Sequence, residues 1–175
     1  MKKYLPLIAI VFFINTATAQ EKNLDPKFIY EKLVDIYHKS SSVDEKYFSE
    51  IGFGLISTDS SPNGDIIQRA MYDAEANHFK LTQDDIFNGP KEFTVTTHRL
   101  STNLYSTIES RYCTRSRKEY KNCLEYIKNM GYKLVGDKST STDTQTYQLE
   151  KVQIMLQKVN HNGRPYQIIY SINTN

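Results

Sequence analysis

The stretch Glu45-Lys46-Tyr47-Phe48-Ser49-Glu50-Ile51-Gly52-Phe53-Gly54-Leu55 returns later in the chain as Leu124-Glu125-Tyr126-Ile127-Lys128-Asn129-Met130-Gly131-Tyr132-Lys133-Leu134. The two align position by position at an offset of 79 residues, tyrosine on tyrosine and glycine on glycine. In each, apolar residues at helical spacing stop at the glycine, and an alternating pattern starts at once. Glycine just past a last helical turn closes it in the left-handed conformation, and alternation with period two marks a half-buried strand. The repeat therefore predicts the same helix-to-strand junction built twice.

Upstream, Ser42-Val43-Asp44-Glu45 and Ser116-Arg117-Lys118-Glu119 both read S-x-x-E, the capping box that satisfies orphan amides at a helix start. A further helix precedes each. The first opens at Asp25-Pro26, a cap with proline at N1, and carries Ile29, Leu33, Ile36 and Tyr37 on one face. Its counterpart is expected from Ser101 or Thr102, with Leu104, Tyr105, Ile108 and Tyr112 at helical spacing. Downstream, alternation predicts strands over 53–58, 65–73, 77–83 and 91–99, then over 132–137, 144–150, 152–159 and 164–172. His161-Asn162-Gly163 supplies a hairpin turn for the last pair. The expected class is α+β: two tandem units over 20–100 and 101–175, each a helix-loop-helix with a four-stranded antiparallel sheet, helices on one sheet face.

That element order, together with the matched Gly52 and Gly131 junctions, resembles the β-lactamase inhibitor protein fold over nearly the whole chain after residue 19. The resemblance implies a curved recognition surface. Copies in that family commonly carry a disulfide in the helical part, which Cys113 and Cys123 would supply in the second copy only.

Residues 1–19 read as a secretory signal. Lys2 and Lys3 form a positive start, Tyr4 to Ile14 an apolar run, and Ala17 and Ala19 fit the A-x-A cleavage pattern, placing the cut before Gln20. The run is short for a membrane span, which takes about 20 apolar residues, so no span is expected after cleavage. The expected location is periplasmic or secreted. There an even pair of cysteines reads first as a disulfide, Cys113–Cys123, with a metal or redox pair as the alternative.

The formal charge of +2 is carried by Lys2 and Lys3, leaving the remainder neutral. It is unevenly spread, with 14 acidic and 9 basic side chains over 21–100 against 6 and 11 over 101–175. Such asymmetry steers charged partners or draws the two halves together. The basic excess of a nucleic-acid binder is absent.

Motifs for chemistry are sparse. His38, His78, His98 and His161 make no H-x-x-x-H or H-E-x-x-H pattern, so no metal is expected. No G-x-S-x-G elbow stands in the chain, and its seven glycines form no phosphate loop, so no cofactor is expected either. The thirteen tyrosines suit an interface as well as a core. Strand alternation assigns Tyr72, His78, Lys80 and His98 in the first unit to the helix-free face, and Tyr147, Met155, Gln157, Gln167 and Ile169 in the second. The expectation is an exported, non-enzymatic module that binds an envelope or extracellular protein through this face, as an inhibitor or immunity protein. The alternatives are a small-ligand or cell-wall binding protein using a groove between two sheets, and an envelope hydrolase whose groups converge only in space.

Overall fold

The computed structural model describes residues 23–39, 43–60, 65–72, 91–101, 104–138, 143–159 and 163–173. Helix α1 spans Pro26–Lys39 and α2 Glu45–Glu50; strands β1 (Phe53–Ser60), β2 (Ile66–Tyr72), β3 (Lys91–Ser101) and β4 (Leu104–Thr114) follow. Helix α3 (Arg117–Asn129) then leads into β5 (Lys133–Lys138), β6 (Asp143–Leu149), β7 (Val152–Lys158) and β8 (Tyr166–Ile172). The eight strands form one antiparallel sheet in the order β1-β2-β3-β4-β8-β7-β6-β5. Both halves run outward from a central β4–β8 pair, in which Tyr112 lies beside Ile168. The α+β class holds. The two separate sheets do not: the sheet is continuous, so the groove expected between them does not exist.

Helix starts follow local chemistry. Asp25 Oδ1 accepts from the amides of Lys27 and Phe28 ahead of Pro26. The first S-x-x-E is not used as expected: α2 is capped by Asp44, whose carboxylate accepts from Tyr47 N at 2.9 Å, and Ser42 lies outside the described residues. Ser116 does cap α3, accepting from Glu119 N at 3.2 Å. The glycines after α2 and α3 have φ of +80° and +91°, and their amides return to Ser49 O and Lys128 O, each at 3.0 Å. The offset of 79 persists beyond the junctions. The register shifts between Leu55 and Ser57 in β1, and between Leu134 and Gly136 in β5.

The region expected to be a second leading helix, 101–112, is strand β4, paired with β3 through ten partners from Lys91↔Thr114 to Ser101↔Leu104. The spacing of Leu104, Ile108 and Tyr112 satisfies a helical period, but Ser101, Thr102, Ser106 and Thr107 disfavour helix, and a hairpin partner stood directly upstream. Among the described residues the helix-loop-helix is therefore found once. The strand expected over 77–83 lies outside the described residues.

The helices among the described residues all cover the same face. Ile29, Leu33 and Ile36 of α1 and Cys123 and Ile127 of α3 are buried in one cluster with Phe93, Val95, Tyr112, Ile154, Leu156 and Ile168 of the sheet. Burying an aliphatic or phenyl side chain of this size stabilises by roughly 1.5–3 kcal/mol. Polar contacts fix the helices over the strands. Ser110 Oγ donates to Leu33 O at 2.6 Å, and Gln68 Nε2 to Val43 O at 3.0 Å. Among the described residues, no helix is long and apolar enough to cross a membrane.

The cysteines are two free, buried thiols, not a bridge. Cys123 projects from α3 into the crevice against α1, beside Pro26, Ile29 and Tyr30. Cys113 alternates with Tyr112 and Thr114, which meet α3, and so points through the opposite face, in the row of Glu92 and Gln167. The sheet itself stands between them, a separation the short sequence interval did not reveal.

Candidate binding face

Side chains alternating with the core set form the other face, which carries no helix among the described residues and is called the helix-free face. Its rows follow from the register: Arg69, Thr94, Arg111, Ile169 and Met155 lie side by side across β2, β3, β4, β8 and β7. One step along, Glu92, Cys113, Gln167 and Gln157 make the next row. The middle of this face is polar and buried. Glu92 is 1% exposed, Arg164 and Cys113 0%, Gln167 2% and Ile169 1%.

The charges there are paired through short contacts. Arg164 Nη1 lies 2.7 Å from Glu92 Oε2. Arg111 donates through Nη2 to Glu109 Oε1 at 2.5 Å and through Nη1 to Gln167 Oε1 at 3.1 Å. Gln167 passes the chain on, donating from Nε2 to Val159 O at 3.1 Å. Arg69 is less closely held, its Nε lying 3.9 Å from Asp59. Among the described residues, Glu92 Oε1 and the Nε atoms of Arg69 and Arg111 are buried with no hydrogen-bond partner. Buried polar atoms are seldom left so.

Burial raises the Glu92 carboxyl above its ordinary value, although Arg164, Arg69 and Arg111 all pull it down. Burial also lowers Arg164, against the pull of Glu92. The Cys113 thiol is pushed up to about 12, chiefly by burial and then by the Glu92 charge. A thiol so protonated is a poor nucleophile and a poor metal ligand. Among the described residues, no three His, Cys, Asp or Glu side chains are grouped to hold a metal ion.

Of the residues expected on this face, Met155, Gln157, Gln167 and Ile169 are on it, the first two half-buried and the last two buried. Tyr147 is not. It pairs with Ile154, joins the core cluster at 3% exposure, and receives the Lys128 ammonium 5.8 Å from its ring. Tyr72 occupies the register position opposite Phe53, in a core row; its side chain lies outside the described residues. The Tyr147 displacement is a one-residue slip, which exchanges the faces of a strand. His98 pairs with Ser106 beyond the irregularity at Thr96–Thr97, and His78 and Lys80 lie outside the described residues.

No protein-family model matches the chain, and no curated protein or solved structure matches it. The face therefore has to be read from its own chemistry. Sequence reasoning missed Arg69, Glu92, Arg111 and Arg164, although a signal was present. Charged residues inside strands are unusual, and Arg69 of β2, Glu92 of β3 and Glu109 and Arg111 of β4 fall on one side.

Proposed function

We propose that the chain is an exported, non-enzymatic protein-binding module that engages an envelope or extracellular protein through its helix-free sheet face. The observation carrying this reading is the set of side chains on that face that keep partial exposure, Arg69, Arg111, Met155 and Gln157, standing around the buried Arg164–Glu92 pair. Apolar area with a few fixed polar groups, arginine among them, is the composition of interface centres. The signal-like residues 1–19 support export before Gln20. The offset of 79, carried by the two glycine junctions and the two edge-strand irregularities, supports reading the protein as two copies of one helix followed by four strands, with α1 as an addition. Partners of an inhibitor or immunity type fit a broad face of this kind.

Partner capture from native envelope extract tests the reading. Wild type should recover a specific protein, Met155→Glu should lose it, and Glu125→Lys on the exposed side of α3 should keep it. Recovery of no specific protein, alongside turnover of a small substrate, would sink the proposal.

A further inference from the structure

We infer that the solvent side of α3, with the β5 corner beside it, docks on an anionic lipid surface without crossing it. This surface lies on the helix side of the sheet, opposite the face proposed for protein binding, and does not depend on that reading. From residue 115 to 129 the exposed charged side chains are Arg115, Arg117, Lys118, Lys121 and Lys128, against Glu125. The remaining acid, Glu119, is buried against Lys91. Lys118, Lys121, Glu125 and Lys128 recur at helical spacing on the side away from the buried Cys123 and Ile127. Neighbouring groups do not cancel the excess. Along α1, Lys27, Lys32 and Lys39 are matched by Asp25, Glu31 and Asp35. Asp143, near Tyr120, is paired with Lys158, and at the β6–β7 turn Glu150 stands beside Lys151. The acidic excess of α2 stands over β1, at the opposite end of the sheet from β5.

Local structure does not account for these bases. Arg117 and Lys118 open α3, where the helix dipole favours acids. Choices that work against local structure are expected at functional positions. The other end of the helix adds apolar surface. Met130, Leu134, Val135 and Leu149 are 37%, 49%, 57% and 38% exposed, four of the five large apolar side chains so exposed among the described residues. Met130 is the C-cap of α3. Leu134 pairs with Tyr147, whose ring lies 5.8 Å from Lys128 Nζ, and Leu149 follows on the same side of β6. A helix of this length spans about 20 Å, so bases and apolar side chains make one strip. A soluble acidic partner would engage the bases and leave the corner wet. A lipid surface takes both, with headgroup phosphates on the bases and acyl chains against Leu134 and Val135.

Co-sedimentation of the exported protein with vesicles tests this, using phosphatidylcholine mixed with phosphatidylglycerol and phosphatidylcholine alone. The mixed vesicles should bind the protein, the neutral ones should not, and added salt should weaken the binding. Arg117→Glu with Lys118→Glu separates docking from folding, because acids suit that end of the helix. The double variant should keep or raise its thermal midpoint while losing vesicle affinity by about tenfold or more. Leu134→Ser should also weaken binding to the mixed vesicles. Equal binding to neutral vesicles, or an unaffected double variant, would overturn the inference. Full binding by Leu134→Ser would overturn it too, since a charged surface of any kind would then suffice.

Discussion

Lys91 Nζ lies 3.0 Å from Glu119 Oε1, and both side chains are wholly buried between β3 and the start of α3. Glu119 also accepts from Leu24 N, Tyr112 Oη and Thr114 Oγ1, at 2.5, 2.9 and 2.6 Å. The residue that sequence reading made the return arm of a capping box instead ties together the sheet, α3 and the segment before α1. The next residue of β3, Glu92, faces the other way and meets Arg164. One strand thus anchors a buried ion pair on each side of the sheet.

Breaking the inner pair strands a charge in the core. Lys91→Met alone should destabilise by roughly 3–5 kcal/mol, since the partner left behind is charged and desolvated. Lys91→Met with Glu119→Gln should cost clearly less than the two single losses added together. Urea unfolding of the three variants measures this, and strict additivity would contradict the geometry.

The two thiols give a direct chemical check. Burial holds both Cys113 and Cys123 up to about 12, and they lie on opposite sides of the sheet. Protein prepared without reductant should leave Ellman's reagent unreacted while folded and yield both thiols once denatured. A denatured protein with no reactive thiol would restore the bridge.

The junction glycines should be costly to replace for a backbone reason alone. Nothing lies within 4 Å of a Cβ built on Gly52 or Gly131, so an added methyl meets no neighbour. With φ at +80° and +91°, Ala at either position should still cost about 1–2 kcal/mol. Asn, which tolerates the left-handed region better, should recover part of the loss in thermal unfolding. Equal costs for Ala and Asn would point to some other cause.

The same glycines show what the sequence could convey. A positive-φ junction is written in one residue, and both were legible, as were α1, α3 and the strands of the second half. Strand β4 was not. Its apolar residues fit a helical count, and only its pairing with β3 and β8 decides otherwise. Face assignment held on β7 and β8 and failed on β2 and β6 for the same kind of reason. The sides of β2 and β6 depend on a register set by neighbours, including the irregularity at Leu134–Gly136 beside β6. The charges inside the strands were visible, but their pairing was not, because Arg69, Glu92, Arg111 and Arg164 come from four separate segments brought together by strand order.

On the acid side, Asp35 supplies a local switch. Burial alone would raise its carboxyl, but the Tyr47 hydroxyl, donating at 2.8 Å, and Lys39 at 3.0 Å hold it below the usual value. A depressed folded-state value contributes stability above the unfolded pKa of about 4, lost as pH falls through the folded value. Asp35→Asn should therefore be less stable than wild type at neutral pH, with the gap closing below about pH 4. A gap that persists unchanged into acid would remove the carboxylate from the explanation.

On the alkaline side the core tyrosines act together. Burial pushes Tyr120 and Tyr170 up to about 12, with charges nearby adding to it. Tyr132 is raised further by burial and by its 2.9 Å hydroxyl contact with Tyr30, and Tyr112 by burial and Glu119. Folded-state values raised above the unfolded value near 10 give stability that is whole below about pH 10 and lost as pH rises through the folded values. Tyrosinate absorbance should then rise in two stages, the later one coinciding with loss of the circular-dichroism signal. Tyr132→Phe should lose roughly 1 kcal/mol at neutral pH with its hydrogen bond. It should also have a weaker pH dependence above about pH 10, because one group that couples ionisation to unfolding has been removed. Complete ionisation of the tyrosines in a single early stage, with the fold retained, would show that these rings are not buried as described.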